Sequence, residues 1–209
     1  MIKKISKKTL LILVVSLIPT IVMGRGWNIY GIGYNEGTTI KDIDLMKYDK
    51  TFTSDNLTEN NIGFKINNYR FFIGNRDKFI GNIELEYRGI VEHYNLHSKS
   101  IIDAKCLVAP GAELVVAPGS LFNGHFGLSF CDSQLGMSEV YVLESDSPKR
   151  NPYVNSMHKY HGGVAFNFEM RRWGFRLMYN FTQVKLYIRE TGVSQDLDFQ
   201  TYGVEVYSL

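Results

Sequence analysis

The residues with catalytic potential are a few serines and histidines in the second half of the chain. A serine and a histidine two positions apart on one strand, with a carboxylate on the neighbouring strand, would suit nucleophilic attack on an ester. Ser156 and His158 have this spacing, but in reverse order and at a loop edge. His125 and Ser129 would lie about 13 Å apart along a strand at ~3.3 Å per residue, too far for a hydrogen bond. The sequence therefore predicts no catalytic residues.

Two cysteines are the other candidates for chemistry. Cys106 and Cys131 each lie twelve residues from the turn predicted at 118–119, so an unbroken hairpin would place them opposite one another. Opposed Cβ atoms are ~4.5–5.5 Å apart, near the ~3.5–4.5 Å that a disulfide needs. Pro110 cannot donate a ladder hydrogen bond and suggests a bulge, which would shift the cysteines by one residue. A disulfide and two buried thiols remain alternatives. His125 is six residues from Cys131, and we expect neither a metal nor a cofactor.

The first 24 residues indicate export. A basic head with four lysines precedes the mostly apolar run Thr9–Met23, and short residues at 22–24 suit a signal peptidase. The run is shorter than the ~20 residues of a membrane-spanning helix and contains Pro19. We therefore predict a cleaved signal peptide over 1–24 and one domain over 25–209. Removing the segment changes the formal net charge from +2 to −2, because it carries four lysines and no acid, so the charge does not suggest nucleic acid.

Alternation of apolar and polar residues dominates the rest of the chain and predicts an all-β fold. Eight strands are predicted, at 26–34, 61–73, 79–93, 101–117, 120–131, 159–171, 174–190 and 195–209. The short turns 74–78, 118–119 and 172–173 would lie at one end, and the loops 35–60, 94–100, 132–158 and 191–194 at the other. Pairing the last strand with the first closes an antiparallel barrel without sheet edges. The alternating stretch Leu135–Leu143 is expected to extend a strand above the membrane.

The predicted hairpin at 160–181 has one apolar face and one charged face. Its turn at 172–173 predicts the opposed pairs Phe166–Tyr179, Phe168–Leu177 and Glu169–Arg176. We expect the apolar face to contact lipid through Phe79, Ile83, Leu85, Tyr87, Phe166, Phe168, Phe175, Leu177 and Tyr179. Eight strands enclose a lumen that side chains can fill. An ion-pair network is expected there, formed by Glu84, Glu86, Arg88, Glu92, Glu169, Arg171 and Arg176.

These patterns resemble the small OmpA/OmpX-like outer-membrane barrels of bacteria over the whole mature chain, with short periplasmic turns and longer external loops. The final strand resembles the C-terminal signal that the barrel assembly machinery recognises, with Tyr207 and Leu209 in its hydrophobic positions. The family usually ends in an aromatic residue, whereas this chain ends in Leu209, and the same register would place Glu205 on the lipid face. The resemblance implies a bacterial outer-membrane location, in contact with outer-membrane lipid.

The functional prediction is a structural or adhesive role. The loops 35–60 and 132–158 carry many charges, and loops on a rigid scaffold suit recognition of an unknown surface partner. Three alternatives remain: a lipid A-modifying enzyme of the acyl hydrolase or transferase type, a narrow pore, and a soluble exported barrel that binds an apolar ligand. In the soluble barrel the apolar face would point inward and the charged face outward.

Overall fold

The computed structural model describes residues 27–40, 43–44, 61–98, 102–132, 135, 137–144, 147–150, 154–188 and 194–209. Twelve strands occur in them: β1 (Trp27–Thr39), β2 (Ile43–Asp44), β3 (Asn61–Ile62), β4 (Phe64–Ile80), β5 (Ile83–Ser98), β6 (Ile102–Ala117), β7 (Phe122–Asp132), β8 (Ser138–Glu144), β9 (Ser147–Arg150), β10 (Val154–Met170), β11 (Trp173–Ile188) and β12 (Ser194–Ser208). The predicted signal peptide 1–24 and most of the loop 35–60 lie outside the described residues. None of the described residues belongs to a helix long and apolar enough to cross a membrane.

Eight of these strands close into an antiparallel barrel. Their order is β5-β4-β1-β12-β11-β10-β7-β6, and the pairing of β5 with β6 completes the ring. The first and last strands pair along ten residues, from Tyr30–Ser208 to Thr39–Phe199. Closure leaves these strands without a free edge along most of their length. The prediction of an all-β, eight-stranded antiparallel barrel is confirmed.

Two predicted turns are displaced in the structure. The β4–β5 turn lies at Gly81–Asn82 and not at 74–78, with Gly81 at φ +58°, a left-handed conformation that glycine adopts readily. Phe79 therefore belongs to β4. The β10–β11 turn is 171–172 and not 172–173, so Phe166 pairs with Leu177 and Asn167 with Arg176. The predicted pairing of Glu169 with Arg176 is wrong. Arg171 and Arg172 form this two-residue turn and are exposed, so neither belongs to a barrel strand.

The barrel strands are connected alternately at its two ends. The turns 81–82, 118–121 and 171–172 lie at one end, which we call the turn end, together with the start of β1 and the end of β12. The connections from β1 to β4, β5 to β6, β7 to β10 and β11 to β12 are made at the opposite end, which we call the loop end. There β6 leaves β7 and pairs through Ile102–Cys106 with β8, which in turn pairs with β9. The strand expected in 135–143 is thus present as β8, and the predicted loop 132–158 is largely a sheet that extends the barrel wall.

The wall reverses its polarity along the strands. Towards the turn end, outward side chains are large and apolar, and the inward ones include the buried charged and amide side chains together with a small apolar cluster of Ile29, Phe72, Ile90 and Tyr207. Towards the loop end, outward side chains such as Lys65, Gln183 and Asp198 are polar. The inward ones there form an apolar cluster: Phe64, Ile66, Tyr94, Leu96, Ala104, Cys106, Ala109, Cys131, Met137, Met157, Val184, Leu186, Leu197 and Phe199. We call these two parts the turn tier and the loop tier.

Aromatic side chains mark the level where the tiers meet. Seven of the eight barrel strands place an outward ring there: Tyr34, Tyr69, His93, Phe130, Tyr160, Phe181 and Tyr202. The rings of Tyr34 and Tyr69 are 4.9 Å apart between centroids, and those of Tyr69 and His93 6.4 Å. The same level separates charged from apolar side chains inside the barrel.

Candidate functional site

The centre of the turn-tier lumen is a crossed arrangement of two arginines and two glutamates. Arg70 and Arg88 each contact both Glu113 and Glu205, with Arg70 Nη1 3.1 Å from Glu113 Oε1 and Arg88 Nη1 3.0 Å from Glu205 Oε2. These side chains come from β4, β5, β6 and β12 and are fully buried. The four charges therefore tie opposite sides of the barrel together.

Below this centre, three arginines surround one carboxylate. Glu86 accepts hydrogen bonds from Arg88 Nε at 2.5 Å, from Arg176 Nη2 at 2.8 Å and from Arg76 Nη2 at 3.1 Å. Arg176 also donates from Nε to Asn167 Oδ1 at 2.9 Å, its partner across the hairpin. Glu86 thus links strands that lie on different sides of the lumen.

Above the centre lies a second buried group, built around Glu92. Its Oε1 accepts hydrogen bonds from Lys159 Nζ at 2.6 Å and from Asn68 Nδ2 at 2.9 Å, and its Oε2 accepts one from Ser129 Oγ at 2.5 Å. His161 Nε2 is 3.0 Å from Glu113 Oε1 of the central group, and His161 lies two residues from Lys159 on the inward face of β10. The network thereby runs from the turn end to the apolar cluster of the loop tier.

The buried charges balance. The described residues contain four buried cations, Arg70, Arg88, Lys159 and Arg176, and four buried carboxylates, Glu86, Glu92, Glu113 and Glu205. Burial of a single unpaired ion costs several kcal/mol, whereas a carboxylate with several donors is compensated. We therefore expect the pairing of these charges to be required for the stability of the filled lumen.

The structure places the predicted lumen residues at three levels. Glu86, Arg88, Glu92 and Arg176 are buried in the network. Glu84 and Glu169 lie at the turn-end rim, where Arg76 Nη1 is 3.8 Å from Glu84 and 2.7 Å from Glu169. Arg171 is exposed in the 171–172 turn, so its assignment to the lumen was wrong, since the displaced turn removes it from the strand.

Six members of the network were missed: Arg70, Arg76, Glu113, Lys159, His161 and Glu205. Most of them stand as single charges between apolar or small neighbours, and their partners are remote in sequence. The Arg70–Glu113 contact, for example, joins residues 43 positions apart. The alternation along β4 could have indicated that Arg70 faces the lumen, because Arg70 lies two residues from Asn68 and from Phe72 and so shares their inward face.

All nine residues expected on the apolar face point outward. Phe79, Ile83, Tyr87, Phe168, Phe175 and Leu177 are exposed, and Leu85, Phe166 and Tyr179 are partly exposed among neighbouring side chains. Phe166 contacts Phe122 edge-on at 4.5 Å between ring centroids, and Tyr179 lies 5.2 Å from Tyr202. The apolar layer therefore continues around the outside of the turn tier.

The last strand faces the opposite way from the prediction. Glu205 is buried in the lumen, and not on the lipid face, while Val204 and Val206 point outward. Tyr207 is buried as well, with its hydroxyl 2.8 Å from Glu169 and Arg176 Cζ 4.3 Å from its ring centroid. Leu209 packs on the cluster that contains Tyr207 and Phe72. Both residues of the predicted assembly signal therefore belong to the inner packing.

The structure joins Cys106 and Cys131 by a disulfide, with their Cα atoms 6.0 Å apart. The bulge lies at Leu107–Val108 and not at Pro110, because the β5–β6 register changes between Glu92–Ala109 and Tyr94–Cys106. Both bulged residues point outward. The bond is buried in the apolar cluster. It links β6 to β7 near the point where β6 stops pairing with β7 and pairs with β8.

Among the described residues, the serines and histidines considered as catalytic candidates lie apart from one another. Ser129 donates to Glu92 inside the sealed network, and His125 Nε2 is 2.5 Å from Asn180 Oδ1. His158 packs on the ring of Tyr187 at 4.7 Å between centroids, on the outer wall. Among the described residues, no group of three or more His, Cys, Asp or Glu side chains could hold a metal ion.

Comparison with known proteins gives structural neighbours only. No family model and no curated protein sequence matches the chain. Neisserial surface protein A has 11% identity and a TM-score of 0.47, covering 86% of this chain and 96% of its own. The N-terminal barrel of OprF from Pseudomonas aeruginosa has 12% identity and a TM-score of 0.46, over 88% and 99%. OprG from the same organism has 10% identity and a TM-score of 0.41, over 90% and 98%.

The fold is that of a small eight-stranded outer-membrane barrel. The strand order is closed, and the turn tier carries charges inside and apolar side chains outside. The neighbours add no detail at their low identities and TM-scores. The alternative of a soluble barrel with an apolar lumen is contradicted in the turn tier, where the lumen is charged and filled.

Proposed function

We propose that the protein is an integral barrel of the bacterial outer membrane that has a sealed lumen and presents its loop tier and loops to the cell exterior. Its role is structural or adhesive, through surfaces on that side. The observation that carries the proposal is the reversal of wall polarity at the aromatic level. A single strand such as β11 passes from lipid-compatible to water-compatible side chains at that point.

The turn tier has the dimensions of a membrane span. On β11 the outward residues from Trp173 to Phe181 are Trp, Phe, Leu, Tyr and Phe, a stretch of about nine residues, and a tilted strand needs ~9–11 to cross a bilayer. Backbone groups in hydrocarbon must be paired within the protein, which the closed ring achieves. An aromatic girdle at the interface is typical of such barrels.

The loop tier is built to stand in water. Beyond Phe181 the outward residues of β11 are Gln183, Lys185 and Tyr187, while Val184 and Leu186 pack inside. Lys185 Nζ is 3.9 Å from Asp196, and Gln183 donates to Asp198 at 2.9 Å across β12. The barrel therefore rises above the membrane as a rigid, disulfide-bonded platform that supports the external loops.

The pore and enzyme alternatives receive less support. The lumen is crossed by ion pairs at three levels and by the apolar cluster above them. Ions would have to break buried pairs to pass. Ser129 and His161 are buried in the network, and substrate access would require the same disruption.

Cell fractionation with a conductance measurement tests the proposal. The full chain, expressed in a Gram-negative host, is expected in the outer-membrane fraction and to change its gel mobility on boiling. Purified protein inserted in planar bilayers is expected to show no channel events. A protein that remains in the soluble fraction without detergent contradicts the membrane assignment, and reproducible conductance steps contradict the sealed lumen.

A further inference from the structure

The turn between β10 and β11 consists of two adjacent arginines at the turn end of the barrel. Arg171 and Arg172 are both exposed. Neither guanidinium group forms an ion pair with a carboxylate of the described residues. The other two turns at this end, 81–82 and 118–121, contain no charged residue. The charge of the turns at this end is therefore confined to one hairpin.

The other charged side chains of the turn-end rim compensate one another. Arg76 is 2.7 Å from Glu169 and 3.8 Å from Glu84. Lys78 faces Glu84 across the ladder and follows Asp77 in the chain. The strand that carries Lys78 and Asp77 is three strand spacings from β11, about 14 Å, which exceeds the Debye length of ~8 Å at physiological ionic strength. These charges therefore have little effect on the 171–172 turn.

The neighbours of the turn on its two sides do not cancel its charge. On one side the Leu209 amide donates to the Arg172 carbonyl at 3.0 Å, and the Leu209 carboxylate is the anion at this position. On the other side the Asn167 amide donates to the Leu121 carbonyl at 2.8 Å, and the connection 118–121 is uncharged. Two guanidinium groups therefore outnumber one carboxylate, and the turn keeps a net positive charge.

The two arginines lie directly at the border of the apolar wall. Met170 and Trp173 are ladder partners that flank the turn, and their side chains are 77% and 59% exposed. The next outward pair, Phe168 and Phe175, continues the apolar face, with ring centroids 6.3 Å apart. Tryptophan is enriched at the membrane interface, and arginine there extends its charge to the headgroups. A bilayer that covers this wall would therefore place headgroup phosphates beside the two guanidinium groups.

We propose that the 171–172 turn binds the headgroup of an anionic phospholipid of the inner leaflet, with an acyl chain against Met170 and Trp173. The inference rests on the proposed function, which directs the turn end to the periplasm. A guanidinium group binds phosphate through two parallel hydrogen bonds. A zwitterionic headgroup adds a cation, which two adjacent arginines disfavour, so a lipid with net negative charge is preferred. The site would enrich such lipid beside the β10–β11 hairpin.

Quenching of Trp173 fluorescence by brominated lipids tests the site. The chain has two tryptophans, so Trp27→Phe leaves Trp173 as the reporter beside the turn. The protein is folded into phosphatidylcholine vesicles that contain brominated phosphatidylglycerol or, at the same mole fraction, brominated phosphatidylcholine. We expect phosphatidylglycerol to be preferred about fivefold beside Trp173. Equal quenching by the two lipids overturns the proposal and leaves the turn to a water-soluble anionic partner.

Charge variants in the same background assign the preference to the turn. Arg171→Gln combined with Arg172→Gln should lower it to about one, whereas Lys78→Gln, the matched control at the same end, should keep it. High salt should also lower it, because exposed charges are screened. A preference that survives in the double variant overturns the assignment. An equal loss in Lys78→Gln would assign it to the net charge of the barrel and not to the turn.

The insertion step separates this inference from the proposed function. A barrel that inserts into the vesicles and shows no lipid preference refutes only the site at the 171–172 turn. Failure of the folded protein to insert refutes the proposed function itself.

Discussion

Lys159 Nζ lies 2.6 Å from Glu92 Oε1 at the boundary between the charged and the apolar parts of the lumen, and both side chains are buried. Lys159 comes from β10 and Glu92 from β5, on different sides of the barrel. The apolar cluster of the loop tier begins directly above them with Tyr94, whose ring centroid is 5.8 Å from Lys159 Nζ. The pair is therefore the last part of the polar network before the apolar cluster of the loop tier.

Breaking this pair is expected to be more damaging than removing it. Lys159→Met leaves Glu92 charged and without its cation, and we expect the free energy of unfolding to fall by about 3–5 kcal/mol. The double variant Lys159→Met with Glu92→Gln is expected to recover most of the loss. Urea unfolding of the protein folded into lipid vesicles, followed by tryptophan fluorescence, measures both. A double variant as unstable as the single one contradicts the account.

Buried and rim glutamates are expected to behave differently. Glu113→Gln removes a charge that Arg70, Arg88 and His161 share, and we expect a loss of about 3 kcal/mol or more. Glu84→Gln changes a rim side chain 3.8 Å from Arg76, and a change of at most about 1 kcal/mol is expected. The same unfolding assay compares them. Equal losses would show that burial does not set the strength of these pairs.

The disulfide is expected to stabilise the loop tier. Cys106 and Cys131 are 25 residues apart in sequence, and a bond of this loop length is typically worth about 2–4 kcal/mol. The double variant Cys106→Ala with Cys131→Ala should remain a heat-modifiable barrel with a lower free energy of unfolding. Its loop end should also be cut sooner by protease. Unchanged stability and protease resistance would argue against a structural role for the bond.

The contact between Tyr207 and Gly174 allows the packing inside the lumen to be tested. They are partners across β12 and β11, and a Cβ atom on residue 174 would collide with the Tyr207 ring. Gly174→Ala is therefore expected to destabilise the barrel by about 1–3 kcal/mol. In the background Tyr207→Ala the same substitution should cost much less, because the collision is removed. A cost that is equal in both backgrounds would place the effect elsewhere.

The fold was largely predictable from sequence, because period-two alternation specifies strands and closure follows from the need to remove edges. Register was less predictable, since a turn displaced by one residue changes every cross-strand pair, as at 171–172. The sequence did not determine which face of β12 points into the lumen, because both of its faces contain apolar residues. Glu205 of β12 faces inward, where it forms ion pairs with Arg70, Arg88 and Arg176. These partners are on other strands, so the sequence of β12 alone does not indicate them.

The candidate sites were predictable only in part. Clustered charges such as Glu86 and Arg88 indicated a lumen network, whereas isolated ones such as Arg70 did not, because their partners lie on distant strands. The loop tier escaped prediction for another reason. The same strands run through both tiers and keep their alternation. In the turn tier the apolar residues of a strand face outward, whereas in the loop tier they face inward. A prediction that gives each strand one apolar face along its whole length therefore cannot describe the loop tier.

The most direct test compares two positions on the same face of β1. Ile32 and Thr38 both point outward and are exposed, but Ile32 lies in the turn tier and Thr38 in the loop tier. Ile32→Cys and Thr38→Cys are expressed separately, with the native cysteines bonded to each other, and intact cells are treated with a membrane-impermeant maleimide. We predict that Cys at 38 reacts and that Cys at 32 reacts only after the protein is unfolded. Equal reaction of both positions in the folded protein would contradict the division into a lipid-facing and a water-facing tier.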